Sequence, residues 1–380
     1  MKSHLIWLAG TALCCQMAAA EPQAETNAPL FAHHDKIFYR LPSLIITSNG
    51  TVLAACQKRL GSISDFAPSS LVLRRSRDGG KTFEPEQTLF EHTGDCVFNG
   101  NLVEDRQSGT LFATFIAFPQ AERATWFQKI WMPAGGGFSL VKSSDDGRTW
   151  SAAVAVMPVP NAEGWHGGGA FNNNHGLQLQ RGPHAGRLVI GARVFKQGVY
   201  ENRDKGGLIY SDDHGATWRV GGVMLKTAGG INGEVTVGET PEGEVYVNSR
   251  NEAGKSRKGV APAGIVPHQR LFARSRDGGE TFYAEGCHAE LFDGPCNAGL
   301  TSFGGVMFFT APVGKSRTQL TLYASRDGGQ KWAAEKVVAE KSGGYSDVAV
   351  LPDRTLLVLH ESPQGLLLER VSTQREEGGK

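Results

Sequence analysis

Hydrophobic positions along the chain form short runs closed by serine, aspartate and glycine rather than the wide stripes of helices. In Ser70-Leu71-Val72-Leu73-Arg74-Arg75 and in Leu320-Thr321-Leu322-Tyr323-Ala324 the apolar residues run or alternate, which predicts strands. The run Leu356 to Leu359 predicts another, with Glu361 at its end, and Cys56 follows Ala54-Ala55 on an apparent inner strand, where a buried, inert thiol is expected. An octapeptide repeat punctuates the pattern: SRDGGKTF from Ser76, SSDDGRTW from Ser143, SDDHGATW from Ser211, SRDGGETF from Ser275 and SRDGGQKW from Ser325. The starts are 67, 68, 64 and 50 residues apart, enough for a four-stranded blade and a loop in each interval. Within one copy the aspartate can accept bonds from amides of its own turn, glycine allows positive φ, and the final aromatic packs beneath, so each copy staples one strand to the next. Radial repetition of such sheets predicts an all-β propeller.

Composition agrees with a folded, glycine-rich β protein: 380 residues, 40% hydrophobic, 20% charged, 49 glycines. Lysine plus arginine (39) nearly balances aspartate plus glutamate (38), which gives no electrostatic footprint for nucleic acid or an anionic membrane. Residues 1–20 carry Lys2, an apolar stretch from Leu5 to Leu13 and a small-residue end at Ala18-Ala19-Ala20, the layout of a signal peptide and too short for a membrane span. A secreted or periplasmic protein without a membrane anchor is therefore expected; neither Cys14 nor Cys15 follows the small residue that lipid attachment usually needs. Residues 21–30 read as a linker, 31–373 as the propeller and 374–380 as a charged tail. Export permits disulfides, and Cys287 and Cys296, close together around a Gly-Pro turn, are the expected pair. With no CxxC or HxxxH cluster, neither a metal nor another cofactor is expected.

The octapeptides resemble the Asp boxes of the sialidase and BNR-repeat proteins, which implies a six-bladed β-propeller of four-stranded antiparallel blades with the boxes on the rim, away from the ligand. Further motifs resemble the exo-sialidases, a retaining family of glycoside hydrolases. Arg40, in FYRLPSLI, stands at the first arginine of that family; Glu234 and Arg250, in EVTVGETPEGEVYVNSRN, at its catalytic glutamate and second arginine; Arg317, in GKSRTQLTLYASRDGG, at the third. In GYSDVAVLPDRTLLVLHES, Tyr345 matches the tyrosine nucleophile and Glu361 the acid that buttresses the first arginine. QKRLGSISDFAP supplies Asp65 as acid/base and Arg59 as a contact for a sugar hydroxyl.

The chemistry explains the set. Three guanidinium groups supply charge-assisted, partly bidentate bonds to the carboxylate that sialic acid bears on its anomeric carbon. That carboxylate would repel an incoming Asp or Glu, so a tyrosine hydroxyl attacks, with a glutamate to take its proton. The resemblance thus implies an exo-α-sialidase acting, as a monomer, on sialylated glycoproteins, glycolipids and oligosaccharides. Two other readings stay open: a non-catalytic propeller that binds glycans or protein, and a hydrolase of a related nonulosonic or ketoaldonic acid.

Taken singly, Tyr345 reads equally as the cap of a core strand, Glu234 and Asp65 as turn residues, Glu361 as an edge charge and Arg59 as ordinary surface. His175, in HGGGAFNNNHGLQLQ, reads as structural, and Trp126, Phe127 and Trp131 as pocket lining or packing between blades. Three positions depart from the family pattern: Arg354 follows Asp353 where glycine is usual, Lys331 replaces threonine in the fifth box, and Gln57 stands where an acidic residue is common.

Overall fold

The computed structural model describes residues 28–372, other than 92, 120–136, 168–173, 197–204, 226–232, 254–262, 295, 314–316 and 342. The expected signal peptide, most of the linker, the tail, and Trp126, Phe127 and Trp131 lie outside the described residues. Among the described residues there is no helix, and strands make six antiparallel sheets, the blades of a propeller.

Blade 1 runs through Ile37–Ile46, Val52–Leu60, Ser69–Ser76 and Gln87–Phe90, and blade 2 through Asp95–Asp105, Thr110–Pro119, Phe138–Ser143 and Val154–Val156. In blade 3 two short strands, Trp165–Gly167 and Leu177–Gln178, pair with opposite ends of Leu188–Lys196, which is followed by Lys205–Ser211 and Arg219–Val223. Blade 4 holds Val235–Glu239, Val245–Ser249, Gln269–Ser275 and Ala284–Phe292; blade 5 holds Gly299–Phe303, Val306–Pro312, Leu320–Ser325 and Ala333–Ala339. Blade 6 takes Ser346–Val350, Thr355–Ser362 and Gly365–Ser372 and borrows its outermost strand, Phe31–Ala32, from the other end of the chain.

That borrowing explains why six blades carry five boxes. Each box joins the third strand of a blade to the fourth, and in blade 6 no turn connects those two strands. In every box the serine hydroxyl bonds the aspartate at 2.7–2.8 Å and accepts the amide of the glycine four residues on at 2.8–2.9 Å. Four boxes add a threonine hydroxyl that donates to the aspartate at 2.5–2.6 Å. The fifth has Lys331 there, so Asp327 loses the threonine hydroxyl and keeps the Ser325 hydroxyl with the backbone donors Gln330 N and Lys331 N. Arg354 adopts φ 69°, the left-handed region that glycine ordinarily fills.

The box aromatics are joints between blades. Phe83, Trp150, Trp218, Phe282 and Trp332 each pack into the apolar cluster shared with the preceding blade, as Trp218 does against Phe112 and Phe138. Strand register sets where the boxes lie: Ile46 pairs with Val52 and Val52 with Ser76, whereas Arg40 pairs with Gln57 toward the opposite end. The boxes therefore sit at the end of the propeller away from Arg40.

Where the innermost strands converge, a polar plug bridges the blades. The fully buried Asn174 donates to Ala298 O (2.8 Å) and Ser346 O (3.1 Å), and its own carbonyl accepts from Ser43 Oγ (2.7 Å) and Asn101 Nδ2 (3.3 Å). His175 meets the buried Asp347 at 2.9 Å; burial disfavours its charge, but Asp347 outweighs this and raises its pKa. Asp347 also accepts the Leu44 amide, so the plug ties four blades to the third. At the box end, below the plug, opens a cavity of about 760 Å3 that includes Ser48, Glu104, His175 and Arg181 among its walls.

The expected disulfide is not formed. Cys287 and Cys296 are free thiols facing different surroundings: Cys287 donates to Gln269 Oε1 (3.1 Å) and packs between blades 3 and 4, whereas Cys296 lies buried with its thiol on Gly344 O (3.3 Å). The end of the strand Ala284–Phe292 falls between them and sends their side chains apart.

The boxes make the fold acid-sensitive. Bonds from the Thr149 hydroxyl and amide hold Asp145 down to about 2, against an ordinary value of 3.8. A carboxylate with a lowered folded pKa stabilises the fold fully above its unfolded value and loses that contribution as pH falls through its folded value. Unfolding midpoints measured between about pH 5 and pH 2 are expected to fall across the 3.8-to-2 window, and less steeply in Asp145→Asn; equal slopes would contradict this account. Lys331→Thr, by restoring the hydroxyl donor to Asp327, is expected to stabilise the chain by about 0.5–1.5 kcal/mol in denaturant unfolding. No gain would mean that the hydroxyl contributes nothing at that turn.

Candidate active site

Two cross-strand pairs at matching positions build the site. In blade 4, Glu234 directly precedes the first strand and Arg250 directly follows the second, and the ladder continues through Arg250 N to Glu234 O (3.0 Å). In blade 6, Tyr345 directly precedes the first strand and Glu361 lies near the end of the second, joined by Glu361 N to Tyr345 O (3.0 Å). The blade ladders thus set these four side chains at one end of the propeller, the end away from the boxes.

Arg40 comes from the first strand of blade 1, at a bulge between Arg40 and Ser43. Leu41 takes φ 63°, and Pro42 offers no N–H there, so the ladder breaks and the backbone turns. Its Nε and Nη2 donate to Glu361 Oε1 (2.6 Å) and Oε2 (3.1 Å), a bidentate pair. Glu361 also accepts the amides of Leu41 (3.1 Å) and Tyr345 (3.3 Å), so one carboxylate fixes the arginine, the bulge and the tyrosine. A Cβ on Gly344 would run into Glu361 Oε2, so any other residue there would have to displace that carboxylate. Burial disfavours the charge of Arg40, but Glu361 outweighs it and raises the guanidinium's pKa.

Tyr345 is 7% exposed, and its hydroxyl donates to Glu234 Oε1 at 2.7 Å. Burial, joined by the Glu234 carboxylate, raises its pKa well above the usual phenol value, with Arg250 and Arg317 pulling the other way. The hydroxyl is therefore a protonated donor whose proton already points at a carboxylate. Arg250 Nη1 donates to the same Oε1 at 3.0 Å, and its Nη2 lies 3.1 Å from Glu252. The guanidinium carbons of Arg317 and Arg40 lie 5.1 and 5.9 Å from the Tyr345 ring centroid. Glu234, Tyr345, Arg40, Arg250, Arg317 and Glu361 are thus one group.

Asp65 and Arg59 stand beside it, the first exposed and the second buried. Asp65 stands in the loop after the strand Val52–Leu60, 62% exposed, with Oδ1 2.9 Å from Arg59 Nη2. The Arg59 side chain is fully buried, its Nε donates to Gln57 Oε1 (2.8 Å), and its Nη1 donates to Ile63 O. Burial, then the nearby Arg40, lowers its pKa. Gln57 is buried too and serves to hold Arg59 rather than to face the opening. Behind Tyr345 an apolar wall gathers Leu41, Phe66, Phe98, Ile116, Phe118 and Cys296.

Sequence reasoning missed two members. Glu252 lies two residues beyond Arg250, a spacing that an extended chain puts on one side. Arg193 lies 3.9 Å from Glu234 Oε1, and an arginine inside Leu-Val-Ile-Gly-Ala-Arg-Val-Phe was its only signal. No group of three or more His, Cys, Asp or Glu side chains placed to hold a metal ion occurs among the described residues.

Residues 91–358 match the family model described as a BNR repeat-like domain. The chain is 30% identical over 378 residues to a sialidase of Micromonospora viridifaciens, an alignment covering 92% of this chain and 55% of that protein. It is 27% identical over 353 residues to a sialidase of Bacteroides fragilis, covering 85% of this chain and 60% of that protein. The chain thus spans between half and two thirds of the length of these relatives. Among solved structures it resembles a Hadza microbial sialidase, with a TM-score of 0.70 and 21% identity over 88% of this chain and 66% of the other. It also resembles the intramolecular trans-sialidase of Ruminococcus gnavus, with a TM-score of 0.69 and 17% identity over 88% and 94%. With the family model matched over most of the propeller and the boxes in place between its strands, the chain belongs to the BNR repeat-like domain family, as a propeller of the sialidase type.

Proposed function

We propose that the chain is an exo-α-sialidase that removes terminal sialic acid from glycoproteins, glycolipids and oligosaccharides, with retention at the anomeric carbon. The observation that carries this reading is the 2.7 Å bond from the Tyr345 hydroxyl to Glu234, set among Arg40, Arg250 and Arg317. A module that only binds has no use for a phenol aimed at a buried carboxylate. The layout of residues 1–20 supports export, where such glycans are met.

In this mechanism the three guanidinium groups take the substrate carboxylate. Tyr345 Oη attacks the anomeric carbon as its proton passes to Glu234, while Asp65 protonates the departing glycosidic oxygen. The exposure of Asp65 suits it to meet that oxygen and then water. In the second half Asp65 takes a proton from water, the resulting hydroxide displaces Tyr345 from the anomeric carbon, and the phenolate recovers its proton from Glu234. Two displacements give net retention.

A fluorogenic α-sialoside incubated with the purified chain tests the reading, with parallel assays on N-acetylneuraminic and deaminated substrates. Release of neither sugar would favour the binding module, and preference for the deaminated sugar would favour the related-acid hydrolase. Following the first product by proton NMR, the α-anomer is expected before mutarotation; the β-anomer first would refute the two-step mechanism. Tyr345→Phe is expected to lose normal turnover with the fold intact, and wild-type rates there would remove the tyrosine from the chemistry. Arg317→Ala is expected to cost about 1.5–3 kcal/mol, roughly ten- to 150-fold in kcat/KM, by leaving the substrate carboxylate short of a charged partner. Unchanged kinetics would place Arg317 outside the pocket.

A further inference from the structure

Arg193 has no part in the steps above, yet the fold carries it at a cost. It stands in the strand Leu188–Lys196 beside the buried Val194 and Phe195, with its side chain 18% exposed. Ordering an arginine side chain forfeits about 2 kcal/mol of rotamer entropy, and desolvating its charge adds to that, so its donors and charge must be used. The Nε donates to the Gly233 carbonyl at 3.2 Å, and Nη2 lies 3.9 Å from Glu234 Oε1. One guanidinium therefore grips the peptide link just before Glu234 and sets positive charge beside the oxygen that accepts the Tyr345 hydroxyl.

Nothing in blade 4 alone does both. Arg250 approaches the same oxygen at 3.0 Å across the ladder, but its backbone bond is to the carbonyl of Glu234 itself. Glu234 Oε2 is buried with no hydrogen-bond partner among the described residues, so there the carboxylate's orientation rests on what holds Oε1 and the backbone before it. Blade 3, through Arg193, supplies the hold on the backbone.

We propose that Arg193 is a positioning residue for Glu234: from the neighbouring blade it fixes the Gly233–Glu234 segment, and hence the line from Glu234 Oε1 to the Tyr345 hydroxyl. The catalytic half of this inference rests on the reading of Glu234 as the proton acceptor for Tyr345. The structural half does not.

The test uses Arg193→Met, which keeps an apolar stem without charge or donors, and Arg193→Lys, which keeps the charge and a donor. On a fluorogenic α-sialoside, Arg193→Met is expected to lower kcat about 10²-fold, the scale on which a small misplacement of a reacting group acts, with KM within about twofold. Arg193→Lys should recover most of the loss. A rise in KM at unchanged kcat would make Arg193 a substrate contact and overturn the proposal, as would wild-type kinetics in Arg193→Met. Amide hydrogen exchange supplies a readout independent of turnover. In Arg193→Met, exchange should quicken in the peptide from Gly233 to Val237 and stay unchanged in the other blades, with Arg193→Lys restoring protection. Unchanged exchange in that peptide, or faster exchange throughout the propeller, would refute the positioning role. Should the wild-type chain itself cleave no sialoside, the proposed function fails, and the exchange data still decide whether Arg193 holds the segment.

Discussion

The end of the propeller that carries the site has to hold positive charges close together without flying apart. Arg40 and Arg59 come from blade 1, Arg193 from blade 3, Arg250 from blade 4 and Arg317 from the segment leading into the third strand of blade 5. Two like charges about 6 Å apart repel by roughly 3 kcal/mol at an effective dielectric constant near 20. The fold meets this with carboxylates placed one against another cation: Glu361 on Arg40, Asp65 on Arg59, and Glu234 and Glu252 on Arg250. Burial, and after it the nearby Arg40, lowers the pKa of Arg59, so Asp65 offsets only part of what that charge meets. The acidic side chains are therefore as much a part of the site as the arginines. Glu361 does most, since its two oxygens also fix the Leu41 and Tyr345 amides.

Stability and chemistry are kept at opposite ends. The boxes lock blade to blade through local turns and a packed aromatic, and the strand register puts them at the end away from Arg40. The groups of the candidate site sit on strand ends and a bulge at the far end, where the ladder is already interrupted and side chains can be re-aimed. A change in one region need not disturb the other, because the packed blades between them carry the load.

How much of this could be read from the chain depended on the range of the contacts. A box is written in eight successive residues, with bonds that span four positions at most, so the hairpins and the propeller were legible directly. Arg40 and Glu361 are 321 residues apart and Glu234 and Tyr345 are 111, and no local pattern joins them; their grouping was legible only through resemblance to sialidases. The absence of a box in blade 6 needed the topology, because only the pairing of Phe31 with Leu366 reveals a strand donated from the chain's other end. Cys287 and Cys296 misled because nearness in sequence says nothing of side-chain direction once a strand ends between them. Arg193 and Asn174 stayed hidden for a like reason: each acts on strands far off in the chain, and nothing beside it announces the partner.

The polar knot around Asn174 crosses the middle of the propeller, between the arginine end and the cavity at the box end. Under the proposed function, a glycan meeting the arginines would come and go by the doorway on their side of the knot. In a two-step displacement the severed alcohol would have to clear that doorway before a water could take its place. The order of departure and arrival would then be set by traffic through that one side.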